Sequence, residues 1–268
     1  MTGKKRVVWT GVIVYFVLVA GGLGALIWAA SPRRASGHVV TERRPVKAFD
    51  RVHVSGMGTL VIVQGQQESL TVEAQDDILP QIETTVRHGE LLISLGGKWP
   101  RDLMPTKPIT YSLTVKQLSA ISTSGAVAVE GRGNLRASDL TIDTSGSGTV
   151  DLHVTAKSVS TAISGSGAVD LGVTARSVAT TISGSGVCSL RGAAESHSAQ
   201  INGSGQYLAR ALTSSQCKIS INGSGSAQVA ATEALEAQVS GSGDVSYWGD
   251  PKVHEAVAGS GSVHRGEA

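Results

Sequence analysis

A Gly-Ser-Gly triplet recurs through the C-terminal half, at Gly146/Gly148, Gly165/Gly167, Gly184/Gly186, Gly203/Gly205, Gly223/Gly225, Gly241/Gly243 and Gly259/Gly261. The steps between successive first glycines are 19, 19, 19, 20, 18 and 18 residues. A period near 20 held over so many units means one supersecondary unit stacked on itself. Gly/Ser composition alone would give a flexible linker, but the residues between the triplets exclude that. Two and four positions after the second glycine stand Val150 and Leu152, Val169 and Leu171, Cys188 and Leu190, with mostly polar residues between them. Six, four and two positions before the first glycine stand Val159, Thr161 and Ile163, then Val178, Thr180 and Ile182, then His197, Ala199 and Ile201. Period-two alternation marks half-buried strands, and like positions fall into columns such as Ile163, Ile182, Ile201, Ile221 and Val239. The expected fold class is all-β: a single-stranded parallel β-helix, or β-solenoid, with laps hydrogen-bonded at about 4.8 Å spacing. Right-handed winding is expected, because parallel crossovers nearly always take that hand.

The triplets read as corners. Each lap must turn sharply, and Gly reaches positive φ without a Cβ clash; the serines between them can satisfy turn amides locally. A phosphate-cradling loop would need a following helix with Lys or Ser/Thr in register. A calcium-binding nonapeptide solenoid would need an Asp at a fixed place in every repeat. Neither pattern is present, so no cofactor is expected at the glycines. No metal site is expected either: the histidines share no column, and Cys188 and Cys217 lack the close ligand pairs of a zinc site. Both cysteines fall at inward positions and read as buried small apolar residues, and His197 reads as a hydrogen-bonded core histidine.

The N-terminus is organised differently. Residues 1–6 form a short basic tail ending in Lys4-Lys5-Arg6, and 7–30 are uncharged with Trp9 and Trp28 near the two ends, before Ser31-Pro32-Arg33-Arg34. About 20 apolar residues cross a bilayer core, whereas the apolar part of a cleaved signal peptide spans about 7–15. Residues 7–30 are therefore expected to be an uncleaved transmembrane signal anchor. A linker (31–38) leads to irregular first coils (39–120) and then to the regular Gly-Ser-Gly coils (121–268). Basic residues on both sides of 7–30 mean that the positive-inside rule favours neither orientation. A Gly/Ser-rich β-rod behind such a segment instead places the solenoid outside the cytoplasm.

Four surface features bear on function. A formal net charge of +2, with no clustered Lys/Arg among aromatics, points away from nucleic acid. The loop from Gly96 to Pro108 offers Trp99 and Arg101 as a ligand-contact pair, although the favoured expectation is that Trp99 and Met104 fold back over the open first coil. Asp151 and Asp170 share an outward column, as do Lys157 and Arg176, which is the kind of arrangement a polysaccharide-cleaving β-helix would use. The column then breaks at Ser189 and Glu195, so ordinary solvated surface is expected and no catalytic residue is assigned. In the last repeat Glu255 and Arg265 occupy formerly apolar columns, which would blunt further stacking.

The run Arg44…Phe49-Asp50-Arg51-Val52-His53-Val54-Ser55-Gly56-Met57-Gly58 has a family character. So do Leu70-Thr71-Val72-Glu73-Ala74 with Leu79-Pro80-Gln81-Ile82, Leu91-Leu92-Ile93-Ser94 and the later Gly-Ser-Gly coils. Over residues 39 to 265 the chain resembles the putative auto-transporter adhesin head domain, called the GIN domain. The resemblance implies a parallel β-helix on a bacterial cell envelope, with adhesion proposed for the family. Members often carry a lipoprotein cysteine just after the signal sequence; this chain has none there, so the apolar segment itself must hold the membrane. The expected function is a membrane-anchored, extracytoplasmic, non-enzymatic binding, adhesion or scaffolding module, meeting an envelope glycan or surface protein. A polysaccharide-active enzyme and a purely structural envelope element are the alternatives.

Overall fold

The computed structural model describes residues 33–35, 37–95 and 103–267. The expected anchor at 7–30 and the contact pair Trp99 and Arg101 lie outside the described residues. Among the described residues no helix is long and apolar enough to cross a membrane. The fold is all-β, about 75% strand, and forms a β-solenoid of about eight turns.

The first strands are β1 (Arg33–Arg34), β2 (Val39–Arg44), β3 (Arg51–Gln64), β4 (Ser69–Gln75), β5 (Ile82–Arg87), β6 (Glu90–Leu95), β7 (Leu103–Met104) and β8 (Thr110–Val115). The regular laps follow as β9 (Ala120–Arg136), β10 (Asp139–Gly146), β11 (Thr149–Thr155), β12 (Ser158–Gly165), β13 (Ala168–Gly184), β14 (Val187–Gly203), β15 (Gln206–Gly223), β16 (Ser226–Ala230), β17 (Ala234–Gly241), β18 (Asp244–Trp248), β19 (Lys252–Gly259) and β20 (Ser262–Arg265).

Parallel pairing of like positions confirms the columns. β12 pairs with β13 from Ser158↔Ser177 to Gly165↔Gly184, and β14 pairs with β15 from Val187↔Gln206 to Gly203↔Gly223. Ile163, Ile182, Ile201, Ile221 and Val239 are at most 1% exposed, so each contributes roughly 1.5–3 kcal/mol of burial free energy.

The two glycines of a triplet have different reasons to be there. Gly203, the first of its pair, has φ 124°, and a Cβ built on it would lie 2.7 Å from the Gly184 carbonyl of the lap before. That carbonyl accepts a hydrogen bond from the Ser204 main-chain N–H at 2.9 Å. The same bond recurs from Ser166 to Gly146 and from Ser185 to Gly165, so the ladder at the corner runs through the serine main chain. Gly205, the second of the pair, is constrained by space: its Cβ would lie 2.5 Å from Ile182 Cγ2. One glycine turns the chain and the other seats the isoleucine of the preceding lap.

The expectation of parallel coils from residue 39 onward is met only in part. β3 stacks in parallel on β9, with Gly56 opposite Gly125, and β6 and β8 stack in parallel on the other side of β3. Residues 51–64 are thus sandwiched between laps that come later in the chain. β2, β4 and β5 depart from the solenoid rule altogether: β2 runs antiparallel to β4, β4 antiparallel to β8, and β5 antiparallel to β6. These antiparallel strands close the first lap, over a core in which Leu60, Leu70, Val72, Ile82, Ile93 and Tyr111 are at most 2% exposed. Met104 does not fold back as cover; its side chain is 47% exposed. The β5–β6 pair is joined by a tight turn at His88 and Gly89, whereas β2 with β4 and β4 with β8 are partners separated by other strands in the chain.

Candidate functional site

The inward positions before each corner are filled, and the polar ones among them, Thr123, Thr144, Thr161, Thr180 and His197, are buried. His197 Nδ1 and the Tyr207 hydroxyl lie 2.7 Å apart, with their rings stacked at a centroid distance of 5.8 Å. Burial lowers the His197 pKa to about 4 and raises that of Tyr207, so the imidazole is neutral at pH 7. The Cys188 and Cys217 thiols are free and buried; burial pushes Cys188 up to about 12 and Cys217 higher still. This matches the reading of all three residues as core, and the two thiols are held as poor nucleophiles. Among the described residues no group of three or more His, Cys, Asp or Glu could hold a metal ion.

The outward carboxylates form a longer column than the sequence shows. Asp151 stands opposite Asp170, and Glu130 stands opposite Asp151. Arg191, on the next lap, forms an ion pair with Asp170 and lies 3.9 Å from Asp151. It reaches back past Gly172, its own register partner, where a Cβ would lie 2.6 Å from the His153 ring. One cation thus stands against two carboxylates. Lys157 and Arg176 sit at the opposite corner, where Arg176 meets Glu195 at 3.7 Å, with both side chains 74% exposed. These are solvated ion pairs of the kind worth about 1 kcal/mol or less.

Two grooves open on the outside. One, of about 720 Å³, crosses the outer face of β13 to β19 and is lined by Ser198, Lys218, Glu236, Gln238 and His254. Lys218 Nζ donates to Glu236 Oε1 at 2.8 Å, and Gln238 Nε2 donates to the same oxygen at 3.2 Å. The other, of about 1090 Å³, lies by Phe49, Glu68, Lys116, Asn134 and Arg136. Gln64 braces it: its Nε2 donates to the Lys116 and Arg136 carbonyls, and its Oε1 accepts from the Arg136 N–H at 2.9 Å. Sequence reasoning missed both grooves, since each is assembled from outward positions on several laps.

The flank of the Gly96–Pro108 loop is held firmly. Gln75 is buried, and its Oε1 accepts from the main-chain N–H of Thr106 at 2.7 Å and of Lys107 at 3.0 Å. β7, in the same loop, pairs in parallel with β1. At the far end, Glu255 is exposed, and Arg265 donates to the Gly249 carbonyl at 2.8 Å and lies 3.8 Å from Asp250.

A parallel solenoid with an apolar core, an antiparallel cap and polar grooves on its outer faces defines the class of repeat-built β-solenoid modules. Within that class the match is specific: residues 48–186 and 160–251 fit the family model described as the putative auto-transporter adhesin, head GIN domain. The chain belongs to this family. Its fold is similar to a solved structure from Parabacteroides distasonis titled a putative lipid binding protein, with 23% identity, a TM-score of 0.82, and coverage of 88% of this chain and 99% of that one. It is also similar to a putative adhesin of the same organism (22% identity, TM-score 0.79, covering 87% and 98%) and to one from Parabacteroides merdae (20%, 0.78, covering 89% and 100%). No curated protein matches the chain.

Proposed function

We propose that this protein is a non-enzymatic binding module displayed outside the cytoplasm, held to the membrane by residues 7–30, and that it meets an envelope glycan or surface protein with its outer faces. The observation that carries this is the groove across β13 to β19, where Lys218, Glu236, Gln238 and His254 present hydrogen-bonding groups on a rigid sheet. A polyol such as a glycan can exchange hydrogen bonds with such groups without any of them being activated for chemistry. Family membership and likeness in fold to named adhesins support the same class. Trp99 and Arg101 are a second contact point, in a loop that starts from the end of β6.

Retention of the full chain on immobilised envelope glycans tests the proposal. Wild type should be retained and should leave the glycan intact, while the double variant Lys218→Ala/Glu236→Ala should elute early with an unaltered melting temperature. Retention that survives this change but is lost in Trp99→Ala/Arg101→Ala would move the contact to the loop. One observation favours a hydrolytic alternative: the Glu130, Asp151 and Asp170 column beside Arg191. Shortened glycan products that vanish in Asp151→Asn/Asp170→Asn would overturn the non-enzymatic reading.

A further inference from the structure

The groove of about 1090 Å³ by Phe49 collects four charged side chains, Asp50, Glu68, Lys116 and Arg136, and the fold treats the two signs differently. Both carboxylates are held. Glu68 Oε2 accepts from the Ala48 main-chain N–H at 2.9 Å. Asp50 Oδ2 accepts from the Ser119 hydroxyl at 2.7 Å, and its Oδ1 lies 3.9 Å from Arg51 Nε. Both cations are exposed, and among the described residues neither side chain has an ion-pair or hydrogen-bond partner. Only their main chains are fixed, through Gln64, whose Nε2 donates to the Lys116 carbonyl at 3.1 Å and to the Arg136 carbonyl at 2.9 Å. One side chain of β3 thus ties together two cations carried at the ends of β8 and β9.

The rim is strained. Ala48, which lines the groove, has φ 57°, a left-handed conformation that a residue with a Cβ seldom adopts, and the Glu68 carboxylate holds its N–H. Such strain persists where the surroundings impose it, and it gathers at functional sites. Two amides, Gln66 and Gln117, complete the lining; both are exposed, and their side chains are likewise unpartnered among the described residues. Phe49 also lines the groove but is only 4% exposed, so it offers no aromatic face on which a nucleobase could stack. Unpaired cations suit a carboxylate or sulfate, the Arg by a two-pronged hydrogen bond. Amides both donate and accept, which matches ring hydroxyls.

We infer that this groove is a second binding site, for an acidic saccharide, with Lys116 and Arg136 taking the anionic group of the sugar and Gln66 and Gln117 its hydroxyls. Asp50 and Glu68 shape the wall, their charge directed to Ser119, Arg51 and the Ala48 N–H. The inference rests on the glycan-binding reading for its ligand class, but its residues belong to the first laps and none of them lines the groove across β13 to β19.

The test measures binding of the purified full chain to polygalacturonate, dextran sulfate and uncharged dextran. Wild type should bind polygalacturonate more tightly than dextran, with an affinity that falls as salt rises. Lys116→Gln/Arg136→Gln should bind polygalacturonate about tenfold more weakly with an unaltered melting temperature. Gln66→Ala/Gln117→Ala should also weaken it, and Lys218→Ala/Glu236→Ala should leave it unchanged. Equal binding of polygalacturonate and dextran, or full affinity in Lys116→Gln/Arg136→Gln, overturns the site and leaves the β13–β19 groove standing. Loss in Lys218→Ala/Glu236→Ala instead assigns the acidic sugar to the groove of the proposed function and overturns the inference. Dextran sulfate bound as tightly as polygalacturonate, with both indifferent to Gln66→Ala/Gln117→Ala, would show a contact for any polyanion and overturn the saccharide assignment.

Discussion

The two ends of the rod solve the same problem in opposite ways. A stack of parallel laps leaves an open edge at each end, with unpaired main-chain groups and half of an apolar core. At the N-terminal end β2, β4 and β5 turn antiparallel and close the first lap, and Ile93 and Leu70 are fully buried there. At the C-terminal end nothing among the described residues covers β19, and Val257, in the column that holds Val239 at 1% exposure, is 42% exposed. In place of a cap there are charges: Glu255 stands in an apolar column, and Arg265 is drawn to Gly249 and Asp250. Tail-to-tail pairing of two copies through β19 would bring Glu255 close to its counterpart, and like charges opposed across strands are destabilising. One end is closed by packing; the other is left open and made unattractive to itself.

The largest expected effect breaks this contrast directly. Ile93→Ala, under the cap, should cost about 2–5 kcal/mol in denaturant unfolding, the usual range for a buried large-to-small change. Val257→Ala, at the open end, should cost under about 0.5 kcal/mol. Similar losses at both positions would mean that the C-terminal lap is as well packed as the cap. Next comes the stack that joins the ends: Gly203→Ala places a side chain at positive φ against the Gly184 carbonyl and should cost about 2–4 kcal/mol.

A pH titration of stability probes the middle of the rod. The folded pKa of His197 is about 4, below its unfolded value of about 6.5. Between these values the unfolded chain binds a proton that the folded chain refuses, so stability is complete above about pH 6.5 and falls as the pH drops toward 4. The loss is about 3 kcal/mol. In His197→Phe that fall should be absent from the pH 4–6.5 window, and its persistence would assign the loss to other groups. The smallest effect is a gain. The Thr161 hydroxyl is buried with no hydrogen-bond partner, so Thr161→Val should raise stability by about 1 kcal/mol. A loss of that size instead would reveal a partner for the hydroxyl.

The regular laps were legible in the sequence because each residue's environment repeats. Once Ile163 is placed inward, Ile182, Ile201 and Ile221 follow. The cap was not, because antiparallel pairing such as Val39 with Gln75 joins positions that share no period. Nor could the order of the first laps be read, with residues 51–64 lying between β6 and β9, since Gly56 and Gly58 echo the later triplets without recording which neighbour they stack on. The carboxylate column was half legible. Asp151 and Asp170 are 19 residues apart, but Glu130 joins them across an irregularity in β9 that shifts the register. Arg191 acts at a distance from its own column because its side chain is long enough to reach Asp170 and Asp151. The outer grooves belong to the same class of feature, built from the lengths of exposed side chains that alternation alone does not specify.

Central to this picture is the proposed display of the solenoid outside the cytoplasm. Labelling of spheroplasts expressing the full chain with a membrane-impermeant maleimide tests it most directly. Val40→Cys and Val257→Cys, both at exposed positions, should react in intact spheroplasts. Variants that stay unreactive until lysis would contradict the claim.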